Sequence, residues 1–192
     1  MIAIIDYGAG NIKSLQFALD RLGVKSVLTS DLNKILNADK VIFPGQGAAK
    51  SAMEKLKQQG LDKLILNLKQ PVLGICLGMQ LLCEFTEEGN IEGLGIIKGT
   101  VKRFTNEVKV PQMGWNSIHR LNGPLFDGIE AGAYMYLVHS YFVPELKETM
   151  AISNYNGAYS VALQKDNFYG VQFHPEKSST KGQLLLNNFL KL

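Results

Sequence analysis

The stretch Ile2-Ala3-Ile4-Ile5-Asp6-Tyr7-Gly8-Ala9-Gly10 decides the fold class. Four apolar residues in a row, closed by an acid and two glycines, read as a strand buried on both faces and followed by a tight turn. Beyond the turn Asn11 is a good helix N-cap. Ile12, Leu15, Ala18, Leu19 and Leu22 then recur at helical spacing until Gly23 stops the run. This β-turn-α unit repeats along the chain. Residues 24–28 and 41–43 read as strands, 48–59 and 61–69 as helices, and 72–75 as a further strand. Such alternation predicts a mostly parallel, open twisted sheet with helices on both faces. After about residue 90 the texture changes. Shorter segments separated by turns, at 95–102, 134–142, 150–153, 159–163 and 168–173, predict antiparallel additions to the sheet in the C-terminal half. Residues 182–192 read as a final amphipathic helix. No linker, repeat or low-complexity tract interrupts the 192 residues, so one α/β domain over 1–192 is expected.

Composition excludes several classes of function. The chain has 46% hydrophobic and 19% charged residues, ordinary for a globular protein large enough to do without disulfides or a structural metal. Its 20 basic and 17 acidic residues leave a charge of +3 that is not gathered into a basic run with interleaved aromatics, so no nucleic-acid partner is expected. The apolar stretches stop well short of the ~20 residues a membrane span needs. The N-terminus lacks a positive leader and meets Asp6 early, which points to a cytoplasmic protein with no membrane partner. Cys76 and Cys83, if both on one helix, would stand about 10 Å apart, too far for a disulfide. His119, His139 and His174 are scattered and lack ligand spacing, so neither a metal nor another cofactor is expected. The Gly8-x-Gly10 turn has Lys13 where a dinucleotide fingerprint needs its third glycine, and reads as a simple strand-to-helix turn.

The segment Gly74-Ile75-Cys76-Leu77-Gly78-Met79-Gln80 carries chemistry. It sets Cys76 where an apolar strand gives way to a helix, with glycine two residues before and two after. A nucleophile perched on so tight a turn brings neighbouring backbone together, and only residues without Cβ fit there. Cys83, in the apolar run Leu81-Leu82-Cys83, reads as core. A thiol nucleophile needs a base and something to orient that base. His174-Pro175-Glu176 supplies both, because proline keeps His174 extended and residues at i and i+2 then project the same way. Glu176 would hold the imidazole of His174 as the third member of a triad. The backbone N–H of Leu77, and another from the turn Pro44-Gly45-Gln46-Gly47 after a strand end, are the candidate oxyanion donors. His119 reads as a surface or satisfied histidine. Met113, Trp115, Tyr136 and Tyr141 read equally well as core or as interface anchors.

G-x-C-x-G-x-Q at 74–80 together with H-P-E at 174–176 resembles the class I glutamine amidotransferases. The likeness spans the whole chain. It implies a flavodoxin-like fold and a Cys76-His174-Glu176 triad that hydrolyses L-glutamine to glutamate and ammonia through a thioester, with Gln46 and Leu77 at the oxyanion. It further implies that Gly47, Gln80, Glu88, Ser140 and Tyr141 contact glutamine. The segments at 6–11, 111–116 and 136–141 narrow the resemblance to members that pass ammonia to a cyclase/synthase subunit built as a (β/α)8 barrel. That likeness puts Asn11, Trp115, His139 and Lys177 near the partner. One departure is Gln46, where the family usually carries valine. The alternatives are a glutaminase of another complex of this class, or a solitary cysteine hydrolase with the same elbow. A regulatory subunit without catalysis fits poorly with an intact triad.

Overall fold

The computed structural model describes residues 1–8 and 12–192. The early strands and helices are β1 (Ile2–Ile5), α1 (Lys13–Arg21), β2 (Ser26–Thr29), α2 (Leu32–Leu36), β3 (Lys40–Gly45), α3 (Ala49–Gln58), α4 (Leu61–Asn67), β4 (Val72–Cys76) and α5 (Leu77–Leu81). Short strands follow: β5 (Cys83–Thr86), β6 (Ile91–Glu92), β7 (Ile97–Arg103), β8 (Gln112–Ser117), β9 (Tyr134–His139) and β10 (Tyr141–Phe142). The chain closes with β11 (Thr149–Asn154), β12 (Ala158–Lys165), β13 (Phe168–Val171), a 3-10 turn at Pro175–Lys177 and α6 (Ser179–Lys191).

The main sheet has seven strands in the order β11-β12-β13-β4-β3-β1-β2. β13, β4, β3, β1 and β2 run parallel, and β11 and β12 extend the sheet antiparallel. The expected α/β class is therefore present. Its strands alternate cleanly between two cores: Ile2, Ile4, Ile42, Leu73 and Ile75 pack on the α1/α6 side, whereas Ala3, Ile5, Val41, Phe43 and Val72 pack on the α3/α4 side. β4 is the middle strand, and the chain crosses from one core to the other at its end, with Cys76 in the first and Leu77 in the second.

Four expectations are corrected. Residues 95–102 and 134–142 form strands, but these build two smaller sheets, β10-β7-β5-β6 and β8-β9, and not the main one. Residues 168–173 yield β13, which doubles back antiparallel on β12 and so runs parallel to its other neighbour, β4. The two cysteines do not share a helix, since α5 ends at Leu81 and Cys83 opens β5; both are free and buried. The last helix starts three residues before Gly182, which lies inside it because a side chain there would run into the Pro175 carbonyl. Asn11, the expected cap of α1, lies outside the described residues, and Ile12 occupies the cap position without a side-chain bond. Among the described residues no helix is long and apolar enough to cross a membrane.

Candidate active site

The C-terminal ends of β3, β4 and β13 lie side by side because the three strands are parallel neighbours, and ligand sites of open α/β sheets form at such an edge. Cys76 ends β4 with φ 54° and ψ −111°, a left-handed backbone that a β-carbon disfavours. The turn is held by close packing. Gly45 pairs in register with Cys76, and a Cβ on Gly45 would come within 2.7 Å of the Gly78 nitrogen. A Cβ on Gly74 would sit 2.9 Å from the Gly78 carbonyl group, and one on Gly78 would overlap the Phe43 carbonyl. The bracketing glycines thus do what the sequence assigns them.

An open cavity of about 420 Å³ lies over this elbow. Gln46, Gly47, Cys76, Leu77, Gln80, Glu88, His139, Ser140, Tyr141, His174 and Lys177 all line it. The structure therefore brings together residues spread over more than a hundred positions. Glu176 stands behind His174, its Oε1 2.9 Å from Nδ1, with both side chains buried. Burial alone would lower the His174 pKa, but hydrogen bonds and charge from Cys76 and Glu176 outweigh it and push the imidazole up to about 10. A proton is thus kept beside the sulfur, available to a leaving amine. The second Glu176 oxygen is buried and has no hydrogen-bond partner among the described residues. Glu176 borders a cavity of about 20 Å³ between Ile12, Leu15, Pro44 and Ile75.

Glu88 is half-buried, accepts a hydrogen bond from the Ala49 N–H at 3.2 Å, and has its pKa raised by desolvation. Gln80 donates through Nε2 to the Tyr141 carbonyl and to Gln172 Oε1, both at 2.9 Å. His139, which the resemblance puts near a partner, is 6% exposed. Its Nδ1 meets the Tyr141 carbonyl at 2.7 Å, which makes Nδ1 the protonated nitrogen, and burial pulls its pKa down to about 4. It forms a wall of the cavity and packs against Phe104 and Tyr159. Trp115 is 52% exposed on the outer face of the β8-β9 pair, beside Met113 and Tyr134, also exposed. Lys177 lies 6.0 Å over the Tyr136 ring, whose edge meets Trp115. His119 is exposed and bonded to the Ser117 hydroxyl, as a surface histidine should be. Cys83 is buried, its thiol pushed up to about 12 by desolvation, and is inert core.

Sequence reasoning missed Gln172. It is fully buried, and its amide reaches the Cys76 sulfur at 3.6 Å. The signal was present: Gln172 is the one polar amide in a run, residues 169–173, that otherwise reads as a buried strand.

An open parallel sheet whose central strand ends in a strained cysteine, beside a buried His-Glu pair, has the form of a thiol-dependent amide hydrolase. The comparisons narrow that class. The family model described as glutamine amidotransferase class-I matches residues 3–192, and the chain belongs to that family. It is 53% identical, over 100% of its own length and 99% of the relative's, to the imidazole glycerol phosphate synthase subunit HisH of Bacteroides fragilis strain YCH46. It is 52% identical to HisH of Haemophilus influenzae Rd, covering 99% of this chain and 96% of that one. Among solved structures, one described as a glutamine amidotransferase superposes with a TM-score of 0.77 at 16% identity, covering 100% of this chain and 98% of that one. PurLQS from Thermotoga maritima superposes with a TM-score of 0.73, also at 16% identity, covering 99% of this chain and 97% of that one. At those identities the two structures speak for the fold.

Proposed function

We propose that the chain is the glutaminase subunit of an imidazole glycerol phosphate synthase in histidine biosynthesis. It is read as one amidotransferase domain over 1–192, acting in the cytoplasm. In this reading it hydrolyses L-glutamine and hands ammonia to a (β/α)8-barrel cyclase, which makes imidazole glycerol phosphate and AICAR from PRFAR. The observation that carries the reading is full-length identity above 50% to HisH proteins, joined to a cavity floored by Cys76 and His174.

His174 already holds the proton that Cys76 gives up, and the sulfur attacks the glutamine carboxamide carbon as the deprotonated nucleophile. The oxyanion that forms takes the backbone N–H groups of Leu77 and Gln46. His174 returns the proton to the departing nitrogen, leaving ammonia and a thioester; water, deprotonated by His174, then releases glutamate. Glu176 orients the imidazole and stabilises its charged state throughout. Gly47, Gln80, Ser140 and Tyr141 shape the pocket around the substrate, and the Glu88 carboxylate complements its ammonium group. Free ammonia is protonated in water, so direct transfer to a docked partner preserves its nucleophilicity. The exposed Met113, Trp115 and Tyr134 with Lys177 offer a docking face, and Asn11 is assigned to it by resemblance.

Co-purification with the barrel cyclase, followed by glutamate release and product synthesis from glutamine, tests the reading. Stable pairing and glutamine-dependent synthesis are expected. Glutamate release that rises only with a different synthase would overturn it in favour of another complex of the same class.

A further inference from the structure

Gln172 stands immediately after β13, with its backbone N–H bonded to Val161 across the sheet at 2.9 Å and its side chain fully buried. A buried primary amide is costly unless its donors and acceptor are used. Here its orientation is fixed from outside. The Tyr141 carbonyl can only accept, so Gln80 must turn its NH2 toward it, at 2.9 Å. That same NH2 lies 2.9 Å from Gln172, which must therefore present its oxygen to Gln80. The remaining end of the Gln172 amide, its NH2, faces the Cys76 sulfur at 3.6 Å. No flip of either amide is compatible with the carbonyl at the start of this chain.

On the reading of Cys76 as the nucleophile, we propose that Gln172 is a positioning residue for it, donating a hydrogen to Sγ and tying the sulfur through Gln80 to the cavity wall. The sulfur also lies 3.7 Å from the Val138 carbonyl, which can only accept from the thiol. Once the thiol proton leaves, that contact no longer holds the sulfur, whereas the Gln172 N–H still does and becomes a bond to a charged acceptor. Gln172 thus favours the state that attacks. It does so through side-chain bonds to Gln80 and to the sulfur itself.

The other titratable groups around Cys76 come from several elements. They are Tyr7 just after β1, His139 from β9, Tyr141 from β10, His174 and Glu176 from the turn after β13, and Glu88 and Lys177 on the cavity wall. All of them are retained in a Gln172→Met variant, which keeps length and removes the donor.

The test is the pH profile of Cys76 alkylation by iodoacetamide in the full chain, with glutaminase kinetics on the chain paired with its cyclase. In Gln172→Met the acid limb of alkylation moves to higher pH by about one unit, and kcat falls about tenfold or more with KM within about threefold, the scale of one hydrogen bond to a charged group. An unmoved limb and wild-type kcat in the folded variant would overturn the proposal. Should the variant not fold, NMR of the wild-type Gln172 side-chain amide decides. A pH-dependent shift that disappears in Cys76→Ala supports the bond, and a resonance that is flat, or titrates unchanged in Cys76→Ala, refutes it. Glutaminase that survives complete alkylation of Cys76 would instead refute the nucleophile itself.

Discussion

Gly78 passes beneath Phe43 so closely that a β-carbon on the glycine would occupy the space of the Phe43 carbonyl oxygen. The contact is backbone on backbone, between the helix that follows the nucleophile and the neighbouring central strand. Neither side has a flexible end that can yield. Gly78→Ala should therefore cost about 1–3 kcal/mol or more in stability through overpacking. It should lose more activity than Gly74→Ala, whose added carbon meets its neighbours at 2.9 Å. Thermal melts alongside glutamate release check this; a wild-type melt and full activity in Gly78→Ala would show that the elbow has slack.

The two cysteines should behave oppositely. Cys76→Ala should abolish glutamine-dependent turnover and leave ammonia-dependent synthesis by the assembled complex intact, because only ammonia production uses the thiol. Cys83, buried with its thiol pushed up to about 12, should resist alkylation, and Cys83→Ala should cost only about 1 kcal/mol of packing. Loss of activity in a folded Cys83→Ala protein would contradict this division.

Glu176→Gln should weaken catalysis and stability together. The carboxylate holds His174 through Oε1, while Oε2 is buried without a partner among the described residues. Glutamine keeps an oxygen for His174 and removes the charge that sustains imidazolium, so turnover should fall, by less than in His174→Ala, with little change in KM. Stability at neutral pH should fall as well, because one partner of a buried ion pair is removed and His174 loses a charge that holds its proton. Equal activity across neutral pH would remove Glu176 from the triad.

His139 predicts a pH dependence of stability. Its folded pKa of about 4 lies below the ordinary 6.5, so below pH 6.5 the unfolded chain takes up a proton that the folded chain refuses. Its contribution is complete above pH 6.5 and is lost as pH falls toward 4, at up to about 1.4 kcal/mol per pH unit. His174 has the opposite sign: raised to about 10, it contributes below pH 6.5 and loses that contribution as pH rises through 10, so it adds no slope between 4 and 6.5. Urea midpoints should stay nearly level from pH 7 to 6, where the two histidines offset each other, and fall from pH 6 to 5 in the wild type, less steeply in His139→Gln. Parallel curves would mean that His139 keeps its ordinary affinity for protons.

The central sheet and the elbow were legible because strands buried on both faces are continuous apolar runs, and because the crowding around Cys76 leaves glycine as a visible trace at positions 74 and 78. His174 is extended, as Pro175 demands, but Glu176 reaches it from the 3-10 turn over Pro175–Lys177 and not from a continued extended segment. The small sheets were not legible in the same way. β5 hides in an apolar run that continues α5, and its pairing with β7 joins segments more than ten residues apart. Gln172 escaped because its meaning lies in Gln80 and Tyr141, which are distant in the chain. Whether Met113 and Trp115 were core or surface was undecidable from their chemistry; the β8-β9 register turns them outward while Met135 and Leu137 turn in.

Two hydrogen bonds fasten the β8-β9 pair to the turn that carries His174, and a third braces the turn itself. The His174 N–H bonds the Tyr136 carbonyl at 2.9 Å, the Tyr136 N–H bonds the Ser178 hydroxyl at 3.0 Å, and that hydroxyl donates to the His174 carbonyl at 2.6 Å. For anyone redesigning the molecule, the hairpin is consequently not a detachable module. A hairpin transplanted to retarget the exposed Trp115 face must bring a compatible 174–178 turn with it, or the graft will be felt first at the imidazole.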